Sequence, residues 1–216
     1  MFKYLEILPR VYFLKFDEFI DIGLTFWRYQ EYYESKFFRG RVFTLVDFIH
    51  NYYKKNDNDF DYFGYWDGFN IPSSVLKEVW RRKIKDENKY DAALRKFDSQ
   101  VPHRDYYVIS SFAKSNDTRN HELAHGLYYT NPDYKREITR ELSRLPVKSV
   151  RLWKKVLRKA GYHKAVYRDE LQAYLVSGED EDMEFKGSER FNFRFQKIFD
   201  RYSRSQKSLT ADMKLV

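Results

Sequence analysis

The sequence predicts an α+β fold: one mostly helical domain with a small sheet, whose edge strand comes just before a helix bearing His-Glu-x-x-His. Three observations predict it. Apolar and aromatic residues recur at helical spacing through most of the chain. Two short runs, Val11 to Phe16 and Asp105 to Phe112, are instead apolar, aromatic and partly β-branched. No repeat, low-complexity tract or linker separates them, and 216 residues is an ordinary size for one domain. Residues 1–104 make a helical, aromatic N-terminal part, 105–178 the chemical core, and 179–216 a final helix and tail.

After the strand at Val11 to Phe16, Asp17 opens a long helix to about Ser35, with Phe19, Ile22, Phe26 and Tyr29 on its buried face. Beyond the Arg39-Gly40-Arg41 break, Thr44 is an N-cap for a helix through Tyr53, and Lys54 to Asp61 reads as a polar loop. Gly64 to Pro72 has the glycine, asparagine and proline content of an irregular turn that packs by its aromatic residues. Ser73 then caps a helix over Ser74 to Lys83, and a second runs from Glu87 to Phe97.

Asp105 to Phe112 is the strongest strand signal. Lys114 to Thr118 is a loop, and the motif helix spans Arg119 to Tyr128. Asn131 as N-cap with Pro132 behind it starts the next helix, which Pro146 ends. Helices follow from Val147 to Ala160, stopped by Gly161, and from Lys164 to Val176, stopped at Gly178. Glu179 to Glu184 is an acidic turn, Glu189 to Tyr202 the last helix, and the final dozen residues fray.

The chain has no cysteine, which excludes disulfides and thiolate metal sites, so any metal rests on His and carboxylates. With no signal-like start and no apolar run of spanning length, a cytoplasmic, membrane-free protein is expected. The net charge of +8 is concentrated: between Tyr134 and Arg168 twelve Lys or Arg face only Glu137 and Glu141. Such a run is ordinarily a solvated helix face, and otherwise a platform for nucleic acid or an acidic protein.

The chemistry lies in His121-Glu122-Leu123-Ala124-His125. Histidines at i and i+4 stand one above the other on a helix, so both imidazoles reach one ion, and Glu122 sits where it can touch a metal-bound water without ligating. Two ligands leave a third to be found. Glu170, forty-five residues after His125 and early on a later helix, is the candidate, with its neighbour Asp169 as rival.

His-Glu-x-x-His followed by a Glu on a later helix resembles the gluzincins among the zincin metallopeptidases. The resemblance spans about Asp105 to Gly178. It implies a zinc ion on His121, His125 and Glu170 with one position open to water, Glu122 as general base, and a peptide laid along the strand near Val108 to Phe112. The metzincin third His is missing, since Asn131 stands in its place, and Tyr174 stands where some gluzincins have an Asp. Glu170-Leu171-Gln172-Ala173 is also similar to a short stretch of the metalloproteases that cut phage repressors. His163 is the candidate for steadying the oxyanion, a role for which Tyr128, Tyr129 and Tyr167 compete, whereas His50 and His103 read as structural or surface residues. The alternative is a noncatalytic basic module that binds nucleic acid or an acidic protein, with its metal structural or absent; a third reading has the basic face recruit substrate to the cleft.

Overall fold

Tyr12, Leu14 and Phe16 alternate with Val11 and Phe13 along one strand, and all five are buried, so both faces of that strand are covered. The computed structural model describes residues 1–54, 59–66, 68–112, 116–178, 187–209 and 212–216. Its sheet has five strands: β1 (Phe2–Leu8), β2 (Val11–Phe16), β3 (Gly68–Pro72), β4 (Tyr107–Ser111) and β5 (Lys214–Leu215), in the order β3-β4-β2-β1-β5. β1 and β2 form an antiparallel hairpin whose turn places Arg10 at φ 64°. β4 runs parallel to β2, with Val11 opposite Tyr107, and antiparallel to β3.

The alternation sorts the core into two layers. Phe2, Tyr4, Tyr12, Leu14, Phe16 and Val108 face α1 (Phe19–Glu34), α2 (Leu45–Tyr53), α3 (Tyr62–Tyr65), α4 (Ser73–Arg81) and α5 (Lys89–Gln100). Ile7, Val11, Phe13, Tyr107 and Ile109 face α6 (Asn116–Thr130), α7 (Pro132–Ser143), α8 (Val147–Lys159), α9 (Tyr167–Ser177) and α10 (Glu189–Ser203). Helix α6 lies close on the sheet: a Cβ on Gly126 would stand 2.9 Å from Val11 Cγ1. Among the described residues no helix is long and apolar enough to cross a membrane.

The α+β class and most helices agree with the sequence. Thr44 makes a full capping box with Asp47, Asn131 caps α7 with Pro132 in its first turn, and Gly161 and Gly178 take the positive φ that ends α8 and α9. Four expectations change. β4 is interior, because Gly68–Pro72, which reads as a turn, is a strand that hydrogen-bonds to it; β3 is therefore the edge. Ser73 lies inside α4, and its hydroxyl accepts from the Tyr106 N–H at 3.1 Å, tying the helix to the sheet instead of capping it. The tail is anchored: β5 pairs with β1, and Val216 is buried. α6 begins at Asn116, a turn earlier than its sequence suggests, while α9 begins later, at Tyr167. Half of the polar loop, part of the Lys114 to Thr118 loop and the acidic turn at Glu179 to Glu184 lie outside the described residues.

Candidate metal centre

α6 and α9 pack side by side and bring three side chains together: one ligand atom each from His121, His125 and Glu170, all within 4.8 Å of one another. The i, i+4 spacing puts His121 Nε2 3.2 Å from His125 Nε2. Glu170 Oε1 is 3.8 Å from His125 Nε2, and its Oε2 3.9 Å from His121 Nε2. A tetrahedral ion with bonds of about 2.0–2.1 Å needs ligand edges of about 3.3 Å, so side-chain shifts of a few tenths of an ångström close this set on zinc.

Asp169 lies outside this set of three atoms. Successive helical residues point about 100° apart, so Glu170 faces the Nε2 atoms while Asp169 reaches round to His125 Nδ1, at 2.9 Å. A carboxylate there favours the proton on Nδ1, which leaves Nε2 free. Asp169 is itself held by Gln172 Nε2 at 3.1 Å, and Gln172 Oε1 accepts from the Tyr134 hydroxyl at 2.8 Å. His121 Nδ1 lies 3.4 Å from Ser177 Oγ, and the Tyr174 ring stands against the His121 ring at 4.4 Å between centroids. Glu170, Tyr174 and Ser177 follow at i, i+4 and i+7, one face of α9 turned to His121.

The buried cluster holds more acidic than basic groups: Glu170, Asp169 and Glu122 stand beside two imidazoles. Burial pushes the Glu170 carboxyl well up, with Asp169 and Glu122 adding to it and His125 opposing. Burial and the neighbouring His125 push His121 well below the ordinary imidazole value. At His125 burial also disfavours the charged ring, but Asp169, Glu170 and Glu122 outweigh it and hold its pKa at about 10. One proton on two imidazoles is thus the positive charge available to these carboxylates. Glu170 Oε2 is buried and has no hydrogen-bond partner among the described residues. Two imidazole nitrogens and a carboxylate oxygen suit zinc, whose binding displaces those protons.

His121 and Glu170 open on a cavity of about 850 Å³ between α1, the start of β3, α6, α9 and the end of α8. Glu122, only 5% exposed, lines it beside His121. Gly68, the first residue of the edge strand, lies against that carboxylate: a Cβ there would fall on Glu122 Oε1 and stand 2.8 Å from Thr118 Cγ2. Trp66 borders the cavity, half-exposed, while Phe69 and Ile71 pack as the aromatic segment suggests.

His163 does not join the site. Its Nδ1 accepts from the Ala165 N–H at 3.2 Å within its own turn, away from the cavity lining, and burial with the nearby Arg39 and Lys164 lowers its pKa. Tyr128, Tyr129 and Tyr167 border a separate cavity of about 480 Å³. Two cavity residues escape a sequence reading. Tyr162 lines it, and its hydroxyl is 3.3 Å from that of Tyr174. Glu34, at the end of α1, is 5% exposed and lines it too; burial and then Glu170 raise its pKa well above normal. Glu34 has one visible sign, an acid beside Tyr32 and Tyr33 in an aromatic helix, whereas nothing local marks Tyr162.

His50 is exposed, and His103 pairs with Glu6 at 3.1 Å, as surface and structural residues do. Compared with protein-family models, curated proteins and solved structures, the chain matches none.

Proposed function

We propose that the chain is a zinc-dependent metallopeptidase, with zinc on His121, His125 and Glu170 and Glu122 as general base. The observation that carries this is the convergence of two imidazoles and a buried carboxylate oxygen that accepts no hydrogen bond among the described residues, beside a cavity that Glu122 lines. Bound there, zinc lowers the pKa of a water to about 7 and polarises the scissile carbonyl. Glu122 takes the proton of the attacking water on its carboxylate and delivers it to the leaving nitrogen. Gly68 leaves that carboxylate the room to sit beside the ligands. Asp169 holds His125 in its liganding tautomer. The hydroxyls of Tyr162 and Tyr174 replace His163 as donors to the carbonyl oxygen as it gains charge.

A peptide cannot pair with β4, whose ladder is taken on both sides by β2 and β3. It adds instead along β3, the edge strand, where Gly68, Phe69 and Asn70 line the cavity. The absence of cysteine fits a reducing, cytoplasmic setting.

Metal analysis with peptide hydrolysis tests the reading. Wild type and Glu122→Gln bind about one zinc per chain, His125→Ala and Glu170→Ala lose it, and only wild type cleaves a mixed peptide library. No zinc in wild type after zinc is supplied would sink the proposal. A structural-site reading needs a fourth protein ligand, and the cluster among the described residues has three.

A further inference from the structure

We infer that this site takes an acidic peptide segment, which it recognises through the C-terminal end of α8, where Arg158 and Lys159 border the metal cavity. The inference rests on the peptidase reading and names its substrate class. The basic run seen in the sequence divides in two. On α7, Arg136 pairs with Asp133, while Glu137 pairs with Arg201 and Glu141 with Arg144 and Arg194. α8 has six Lys or Arg in 13 residues and no acid; all six are exposed, and none makes an ion pair among the described residues. A solvated face accounts for α7. On α8 no acid among the described residues answers the charge.

Where α8 points decides what that charge can do. Trp153 and Leu157 are buried against the second layer, so the helix is pinned and its cations are fixed on the outer side. Its last turn brings Arg158 and Lys159 to the cavity that holds His121, Glu122 and Glu170. Lys36 joins them: its N–H donates to Gly161 O at 2.8 Å, and the His163 N–H donates to Glu34 O at 2.7 Å, which locks the end of α1 to the turn after α8. Cations at a helix C-terminus also favour the helix dipole. That accounts for two of the six, and not for Lys36 beside them or for four more along the helix.

The same cavity tells a peptide from a nucleic acid. Glu31, Glu34, Asp117, Glu122 and Glu170 line it together with the cations. A nucleic-acid strand bears a charge on every unit and would bring phosphates against these carboxylates. A peptide can set Asp or Glu side chains on Arg158, Lys159 and Lys36 and present a neutral amide to Glu122. Val147 and Leu152, exposed on α8, add apolar surface suited to protein. The remaining cations, Lys148, Arg151, Lys154 and Lys155, extend the attraction outward and raise the encounter rate at low salt.

The test uses zinc-loaded protein and the double variant Arg158→Glu with Lys159→Glu. Cleavage sites in a library of lysate peptides, mapped by mass spectrometry, should show Asp and Glu enriched at a fixed position from the cut, and the double variant should lose that enrichment while keeping its zinc. In parallel, fluorescence anisotropy follows labelled decaglutamate, decalysine and a ten-nucleotide single strand on zinc-loaded Glu122→Gln. Decaglutamate should bind, weaken with salt and lose about tenfold when Arg158 and Lys159 are reversed. Cleavage without acidic enrichment overturns the inference, as does a single strand that binds more tightly than decaglutamate and depends on the same two residues. If nothing in the library is cut, the peptidase reading alone fails, because decaglutamate binding still decides whether the α8 end holds an acidic peptide.

Discussion

The two layers on either side of the sheet each hold a cluster of buried charge, and the two clusters are built in opposite ways. In the first, Arg28 is 1% exposed, yet it pairs with Asp86 at 2.9 Å and donates to Phe43 O, while Asp91 accepts from the Tyr29 hydroxyl at 2.6 Å. Its cation and its acids answer one another. In the second layer the ion pairs of Asp169 and Glu170 are with His121 and His125, which share about one proton. The Arg28 cluster shows that this chain can answer buried charge with its own residues. On the proposed reading, the imbalance in the α6–α9 cluster is what a bound dication would correct.

If the layers are separable in this way, the largest effect belongs to the aromatic core and should leave the chemistry alone. Phe97 is fully buried among the rings of Phe2, Tyr4, Tyr12 and Tyr106. Phe97→Ala should cost about 3–5 kcal/mol of stability in denaturant unfolding. Zinc per folded chain and cleavage rate, measured well below the melting temperature, should match wild type. A fall in cleavage at full folding would break the division.

Zinc removal comes next, at about 2.7 kcal/mol for free zinc at 100 times its Kd. Its pH dependence has a defined sign. Without zinc, His125, Glu170 and Glu34 hold protons more tightly folded than unfolded, so the stability they contribute is present at low pH and lost as pH rises. His121 runs the other way, but its contribution is complete above an unfolded imidazole value of about 6.5. Zinc binding also needs these protons removed. Between about pH 6.5 and 8.5 the gap in Tm between zinc-loaded and chelator-treated protein should widen. A gap that narrows over that window would mean the ligands are not the groups named.

Asp169→Asn should lower zinc affinity about 10- to 100-fold, read by competition with a chelator, because the His125 tautomer is no longer fixed. Asp91→Asn in the first layer should lower Tm without changing zinc affinity. Asp91 and Asp169 are both carboxylates beside a buried cationic group, so the pair isolates what the metal centre adds.

What the sequence shows of this molecule follows the range of the forces involved. Helix ends are decided within a turn, so Thr44, Asn131, Gly161 and Gly178 are readable on sight, as are His121, Glu122 and His125. β3 is a strand because Phe69, Asn70 and Ile71 pair with β4 some forty residues away, and its own residues, bounded by Gly68 and Pro72, look like a turn. β5 is a strand because it pairs with β1 across the whole chain. Within the site, Glu170 is legible as a carboxylate on a later helix. Which of Asp169 and Glu170 binds depends on the rotation of α9 against α6, and Glu34 and Tyr162 enter the cavity through contacts between distant segments. His163 attracts notice as a residue type, and its backbone turns it away.

The smallest effect is the most discriminating. Asn131 caps α7, accepting from the N–H groups of Asp133 and Tyr134 at 3.1 Å each, and Thr44 does the same service for α2 through Asp47. Either residue changed to Ala should cost about 1 kcal/mol in unfolding. Only the α7 cap connects to the metal: it seats the first turn from which Tyr134 reaches Gln172, Gln172 holds Asp169, and Asp169 stands on His125. Asn131→Ala should therefore weaken zinc by a few-fold while Thr44→Ala leaves it unchanged, and Tyr134→Phe, which keeps the ring and removes the hydroxyl, should reproduce the loss with the cap intact. Equal zinc affinity in all three would reduce that chain of hydrogen bonds to packing and leave Asp169 positioned by α9 alone.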